Sequence, residues 1–267
     1  NWVLDVLSAF SMFYLAFHVL WAFNYYRLPL HEALNIGHEY STEELLNVTE
    51  FLIQQSNSVH LDLVDHDSLI VVFPYSKSEI IDKVPEGYAS LKEEFPKLNY
   101  SPRSIKTSLY STPLTYMGFS GYLNPFTNEA QVDRLIPKFK FPTTAAHEAA
   151  HQLGYAAENE ANFIGCLAAL NTNDDYFTYS GYTFALRHCL FELYRRDKDA
   201  FESAYSKINK GILKNYNEVT EFWDSYENPL EAIFESTYDN FLKANNQDQG
   251  MKSYNYVVAL FVNYFKV

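Results

Sequence analysis

One short segment constrains this chain more than any other: residues 147–151 read HEAAH. Two histidines four positions apart, His147 and His151, share one face of a helix, so both imidazoles can reach a single metal ion. Glu148, one position along, would point close to a water molecule in an open coordination position and could act as its general base. The pattern therefore predicts a zinc site with His147 and His151 as ligands and Glu148 as a catalytic residue.

The residues around this motif favour a helix over about 143–154. Pro142 stands before it, alanines fill its interior and Gly154 follows it, which are common start, interior and stop signals. Thr143 or Thr144 is expected to be the N-cap. The alternative is a helix with two ordinary histidines, and the residues downstream argue against that alternative.

Catalytic zinc takes three protein ligands and a water molecule. The sixth position after His151, where some peptidases place a third ligand, is Ala157. A carboxylate on a second helix is then expected, and the two candidates are Glu158 and Glu160, which lie about 200° apart around a helix.

We prefer Glu158 because the residues on its face of the helix are small, which would let the two helices approach closely. Asn162 on that face could also hydrogen-bond a ligating histidine. Glu160 remains the alternative ligand, and otherwise would be a supporting or solvated charge. The small residues on the Glu158 face are Ala161, Asn162 and Gly165.

The two motifs together resemble those of gluzincin-type HExxH zinc metallopeptidases, most closely the CAAX prenyl protease and HtpX-like clan. In that clan the second helix carries ExxAD, and residues 158–162 here read ENEAN, with Asn162 in place of the Asp. The ExEAN variant of peptidases related to the phage-repressor-cleaving group is also similar. Six residues separate His151 from Glu158, fewer than in either family. The resemblance implies hydrolysis of peptide or protein substrates with Zn²⁺ as cofactor.

A second likeness covers most of the chain and concerns an uncharacterised bacterial family with HExxHQ and ExEANF motifs. It implies an N-terminal membrane anchor, a location at the bacterial inner membrane and a zinc site, and it names no substrate. The segments that carry it are 24–30 (NYYRLPL), 121–130 (GYLNPFTNEA), 147–152 (HEAAHQ), 158–163 (ENEANF) and 250–254 (GMKSY).

The N-terminal segment is apolar enough to interact with a membrane. Residues 6–23 contain only His18 as a group that can carry charge near neutral pH, and eighteen residues are about the minimum that crosses a bilayer. Residues 24–27, NYYR, resemble the aromatic and cationic clusters of membrane interfaces. We predict a hydrophobic helix within 1–27 that can serve as an anchor. A buried core helix is the alternative, because Ser8, Ser11 and His18 dilute the apolar run.

Composition excludes other classes. The formal net charge of −13, without any basic run, argues against a nucleic-acid partner. The two cysteines, Cys166 and Cys189, are too few for a disulfide scaffold, and two buried thiols are expected more than a bridge. The remaining residues, 28–267, are predicted to form a single domain.

The predicted fold is α+β and mainly helical, with a small antiparallel sheet before the motif helix. Pro85 should interrupt a helix over 76–94 or begin a new turn within it. The strand over 118–123 could pair with an extended substrate, or be an ordinary hairpin strand. Helices are also expected over 41–55, 157–171, 180–195, 198–210, 216–224, 229–244 and 251–265.

The residue that would stabilise the developing oxyanion is less constrained by pattern. Tyr254, Tyr182 and His188 are candidates, and we take Tyr254 as the second catalytic residue. The principal functional hypothesis is zinc-dependent peptide hydrolysis. The rival is a membrane-tethered sensor or interaction module that binds zinc without catalysis.

Overall fold

Twelve α-helices and three short strands make up most of the described part of this computed structural model, which comprises residues 1–101, 104–229, 231–245 and 254–266. The predicted mainly helical α+β fold is confirmed. In chain order the elements are α1 (Trp2–Leu20), α2 (Leu30–Ala33), α3 (Thr42–Leu63), α4 (Lys77–Glu94), β1 (Ile105–Thr107), α5 (Ser111–Tyr116), β2 (Gly121–Asn124), β3 (Glu129–Val132), α6 (Phe141–Gln152), α7 (Glu158–Leu170), α8 (Asp175–Arg196), α9 (Lys198–Tyr205), α10 (Lys210–Asp224), α11 (Glu231–Ala244) and α12 (Tyr254–Phe265). Short 3₁₀ helices cover Ala22–Tyr26 and Pro96–Leu98.

The sheet lies immediately before the motif helix, as predicted, and its strand order is β1-β3-β2. β2 and β3 form the expected antiparallel pair, with Gly121 opposite Val132. β1 runs parallel to β3, so the sheet is mixed. This order leaves β2 at one edge of the sheet, beside α6.

Helix α4 differs from its prediction because Pro85 does not interrupt it. The helix is continuous from Lys77, where Ser76 and Glu79 form a capping box. Pro85 is itself buried, together with Val84 and Tyr88 on either side. Tertiary packing of this face therefore outweighs the backbone hydrogen bond that a proline removes.

Helices α6 and α7 form a hairpin at the centre of the core. Almost every side chain of α6 is buried, and Tyr88 of α4 donates a hydrogen bond to the Ala146 carbonyl at 2.7 Å. The crossing point is Gly165: a Cβ atom there would lie 2.6 Å from the backbone nitrogen of His147. The predicted close approach of the two helices through small residues is thus observed. Cys166 and Cys189 are both buried and free.

Helix α1 has the opposite character, since none of its residues is buried. A mean hydropathy of 1.8 and a length of 19 residues would let it cross a membrane, as an anchor or a signal segment. The alternative of a buried core helix is not observed. Directly after it, Trp21, Ala22 and Tyr25 are buried against Ala156. The division of the chain into 1–27 and 28–267 stays a prediction.

The Gly165 contact yields a stability prediction. Gly165→Ala places a methyl group against the His147 backbone, which has no flexible end to move away. We expect the free energy of unfolding to fall by about 1–3 kcal/mol, the usual effect of overpacking. Urea unfolding followed by circular dichroism measures it.

Gly181→Ala is the matched control, because Gly181 also lies inside a helix and its added Cβ would first meet the side chain of Leu170. That side chain can turn aside, so we expect a smaller loss. Equal effects of the two substitutions would contradict the assignment of Gly165 as the contact that sets the helix separation.

Candidate metal centre

Helix α6 presents the motif, and both of its ends are fixed. Pro142 occupies its first turn, and Lys140 is the N-cap residue. The expectation that Thr143 or Thr144 caps the helix is wrong, because both hydroxyls instead donate to the Lys140 carbonyl, at 3.1 and 3.0 Å. At the other end Gly154 adopts φ +85°, a left-handed conformation that glycine tolerates, and the helix stops as predicted.

Three candidate ligands converge between α6 and α7. One ligand atom from each of His147, His151 and Glu158 lies within 4.8 Å of the others. The His147 Nε2 atom is 3.3 Å from Glu158 Oε2, and the His151 Nε2 atom is 3.8 Å from Glu158 Oε1. Ligands around a tetrahedral zinc ion are separated by about 3.3 Å, given bonds of about 2.0–2.1 Å. The donor set and its spacing therefore fit a small divalent cation.

The two histidines differ in how they are held. The His151 Nδ1 atom is 2.7 Å from the Tyr155 carbonyl, to which it can donate, so Nε2 is left as the ligand atom. Trp21 contacts the same ring edge-on, with centroids 6.0 Å apart. The His147 Nδ1 atom is buried and has no hydrogen-bond partner among the residues that the structure describes. Asn162 nevertheless lies close enough to raise the pKa of His147.

The two glutamates considered as the third ligand make different contacts in the structure. Glu158 faces both imidazoles, and its Oε1 atom accepts a hydrogen bond from the Tyr238 hydroxyl at 2.6 Å. Glu160 points elsewhere and accepts from the backbone nitrogen of Leu30 at 2.6 Å. It thereby holds the first turn of α2 against α7, a structural contact that sequence spacing did not indicate.

The charges at this site are strongly coupled. Burial would lower the pKa of His147, but the hydrogen bond and charge of Glu158 outweigh burial and raise it. Burial and the charge of His147 lower the pKa of His151 to about 4. Burial would raise the pKa of Glu158, yet its contacts with His147, His151 and Tyr238 lower it to about 2. Glu158 is therefore an ionised carboxylate, as a metal ligand must be.

Glu148 lies next to the ligands but does not join them. Its Oε2 atom is buried without a hydrogen-bond partner in the described structure. Gly121 of β2 makes room for it, because a Cβ there would lie 2.5 Å from Glu148 Oε1. Burial raises the pKa of Glu148 to about 8, although the charge of His147 opposes this. A carboxyl group whose pKa lies this close to neutral can both take up and release a proton near neutral pH.

A cavity of about 1040 Å³ opens onto these residues. Its wall includes His147, Glu148, His151 and Glu158, and most of its remaining lining is aromatic or aliphatic. The edge strand β2 borders it from Gly121 to Leu123, as does the preceding loop from residue 118. The strand predicted over 118–123 is therefore observed beside the motif helix, but it covers Gly121–Asn124 and residues 118–120 form a loop.

The three candidates for an oxyanion donor lie in different parts of the protein. His188 lines the cavity, whereas Tyr182 packs, partly buried, against the core. Tyr254 begins α12, and its side chain lies outside the described residues.

Several cavity residues could not be found from local sequence patterns. Tyr238, which contacts Glu158, is 80 positions away from it along the chain. Trp21 and Tyr25 line the cavity from the segment after α1. The only sequence signal for Tyr25 was the aromatic cluster over 24–27, which suggested a membrane interface, and Trp21 belonged to the apolar run over 6–23. Lys140 and Arg187 also line the cavity and carry no motif.

Comparison with known proteins gives a family and no more. No curated protein matches the chain, and no solved structure matches it. The family described as "Protein of unknown function (DUF3810)" matches residues 1–262. That match spans nearly the whole sequence, including α1 and both helices of the candidate metal centre. The chain therefore belongs to the DUF3810 family.

Proposed function

We propose that this chain is a membrane-associated zinc peptidase. The observation that carries the proposal is the convergence of His147, His151 and Glu158 on one point, with the Glu148 carboxylate buried beside them at the cavity. Two imidazoles and one carboxylate are the ligand set of many zinc hydrolases, in which the fourth position holds water.

Zinc fits the residues present better than a harder cation does. Imidazole nitrogens favour zinc over magnesium or calcium, which prefer oxygen ligands. The His151 contact with Tyr155 and the Glu158 contact with Tyr238 are the kind of outer hydrogen bonds that orient zinc ligands.

In this mechanism zinc, when bound, supplies the positive charge that activates water and polarises the scissile carbonyl. Glu148 accepts the water proton and returns it to the leaving amine. The Glu148 carboxylate lies in the cavity wall, and Gly121 leaves space for it because a Cβ atom there would lie 2.5 Å from Glu148 Oε1.

The substrate is proposed to be an extended peptide. The outer edge of β2 borders the cavity and is not paired with another strand in the described structure. A peptide could add to that edge through main-chain hydrogen bonds, with its side chains in the largely apolar cavity.

Membrane association is proposed to occur through α1. Its exposed apolar side chains would be covered by lipid, and Phe17 near its C-terminal end already lines the cavity. The catalytic centre would then lie close to the membrane surface.

The ligand assignment predicts unequal effects of two neighbouring substitutions. Glu158→Gln should weaken zinc binding by more than the ~10- to 100-fold that loss of an outer hydrogen bond costs. Glu160→Gln should leave zinc affinity near that of the wild type, because Glu160 contacts Leu30 instead. Competition with a chromogenic chelator measures both. Loss of zinc from the Glu160 variant with retention in the Glu158 variant would reverse the assignment.

The role of Glu148 predicts a split between binding and turnover. Glu148→Gln should retain stoichiometric zinc but lower the hydrolysis rate by about 10²- to 10⁴-fold, since a general base contributes that much. Cleavage of a quenched fluorescent peptide library by the full chain is the assay. Glu50→Gln, on the surface beside Lys207, is the control and should cleave normally.

Unchanged hydrolysis by the Glu148 variant would remove Glu148 from the mechanism. A wild-type protein that binds zinc tightly but cleaves no member of the library would favour the non-catalytic sensor or interaction module.

Anchoring through α1 predicts that charges within it release the protein from lipid. Leu7→Arg combined with Leu15→Arg places two cations in the apolar span, each opposed by about 2.5–3.5 kcal/mol near a bilayer centre. Flotation with liposomes should show the variant in the lipid-free fraction. Leu61→Arg with Leu69→Arg is the matched control, because these leucines are similarly exposed outside α1. Equal flotation of both variants would argue against α1 as the anchor.

A further inference from the structure

Two basic side chains, Lys140 and Arg187, line the cavity without an acidic partner. Among the described residues, no carboxylate oxygen lies within 4.0 Å of either cation. The Lys140 Nζ atom donates to Ser120 Oγ at 2.5 Å and lies 5.2 Å from the Trp223 ring centre. The Arg187 guanidinium carbon lies 5.7 Å from the Tyr216 ring centre. Both charges therefore face neutral groups.

These cations affect each other and the histidine next to Arg187. Burial, and then the charge of Arg187, lowers the pKa of Lys140 to about 8. Burial, followed by the charges of Arg187 and Lys140, lowers the pKa of His188 to about 4. At neutral pH His188 is thus an uncharged hydrogen-bonding group beside two cations. Repulsion between like charges in a cavity with aromatic walls is relieved when an anion binds between them.

The acidic groups whose charges act on Lys140 do not serve as the anion between the two cations. The charge of Asp133 raises the pKa of Lys140. The two Asp133 oxygens, however, accept hydrogen bonds from Thr115 Oγ1 at 2.6 Å and from the Leu135 nitrogen at 2.8 Å. The charge of Glu148 also interacts with that of Lys140, and Glu148 is the base in the proposed mechanism. In a chain with 33 acidic and 20 basic residues, two unpaired cations in one cavity indicate a ligand that supplies the negative charge.

We propose that Lys140 and Arg187 form a subsite for a carboxylate of the peptide substrate, with His188 as an additional hydrogen-bonding group. The guanidinium of an arginine can hold a carboxylate through two parallel hydrogen bonds, and a lysine adds a compact positive charge. The carboxylate is either the C-terminus of the peptide or an Asp or Glu side chain. This inference rests on the proposed peptidase function and names the substrate feature that the cavity selects.

The test is direct binding to the full chain in detergent micelles after all divalent ions have been removed with a chelator. Removing the metal matters because zinc itself binds carboxylates. The probes are N-acetyl-Leu-Phe with a free carboxylate, its C-terminal amide, and N-acetyl-Glu-Phe amide, which carries only a side-chain carboxylate. Isothermal titration calorimetry measures each dissociation constant.

We expect at least one carboxylate probe to bind roughly 10- to 100-fold more tightly than the neutral amide, in line with charge-assisted hydrogen bonds. Preference for the free C-terminus assigns the subsite to a terminal carboxylate, and preference for the Glu probe assigns it to an acidic side chain. Equal binding of all three probes would overturn the proposal.

Substitutions locate the binding. Arg187→Met should abolish the preference for the carboxylate probe, and Arg187→Lys should retain part of it. Arg195→Met is the matched control on the same helix, because Arg195 pairs with Glu192 away from the cavity and should not matter. A carboxylate preference that survives Arg187→Met, in a protein with wild-type circular dichroism, would overturn the assignment.

This readout is separate from catalysis. If the metal-loaded protein hydrolyses nothing but the metal-free protein still prefers carboxylates through Arg187, the peptidase proposal fails and the subsite stands. If hydrolysis occurs without any such preference, the subsite fails and the peptidase proposal stands.

Discussion

The candidate metal centre depends on one contact between two backbones. Where α6 and α7 cross, Gly165 lies against the main chain of His147 with no side chain between them. Glu158 precedes Gly165 by seven residues, two helical turns, and so lies on the same face of α7. The close crossing brings its carboxylate opposite both imidazoles. A larger residue at the crossing would move Glu158 away from both histidines at once.

The site also concentrates charge where water is scarce. Glu148 and Glu158 together carry two negative charges when both are ionised, and one divalent cation would balance them. Without a metal, the balance falls on protons: Glu158 raises the pKa of His147 against the effect of burial, whereas burial and the charge of His147 lower the pKa of His151. The contacts of Tyr155 with His151 and of Tyr238 with Glu158 would keep these side chains oriented when a metal ion replaces the protons.

Sequence reasoning predicted the geometry of the candidate site where that geometry depends on local periodicity. The i, i+4 spacing brought His147 and His151 to one helix face, and the small face of α7 distinguished Glu158 from Glu160. It failed where a contact is made across the chain. Pro85 continues a helix because buried neighbours hold it there, and the contact of Tyr238 with Glu158 depends on how α11 packs, which no local pattern encodes.

The junction between α1 and the rest of the protein is short and attached at both ends. Trp21 directly follows α1 and contacts the His151 ring, and Arg27, six residues later, donates to the Leu153 carbonyl at 2.7 Å. With α1 in a bilayer, this junction would hold the ligand histidines at the height where the helix leaves the lipid. For the proposed peptidase, a membrane-anchored substrate would then be cleaved at a set distance from its own anchor.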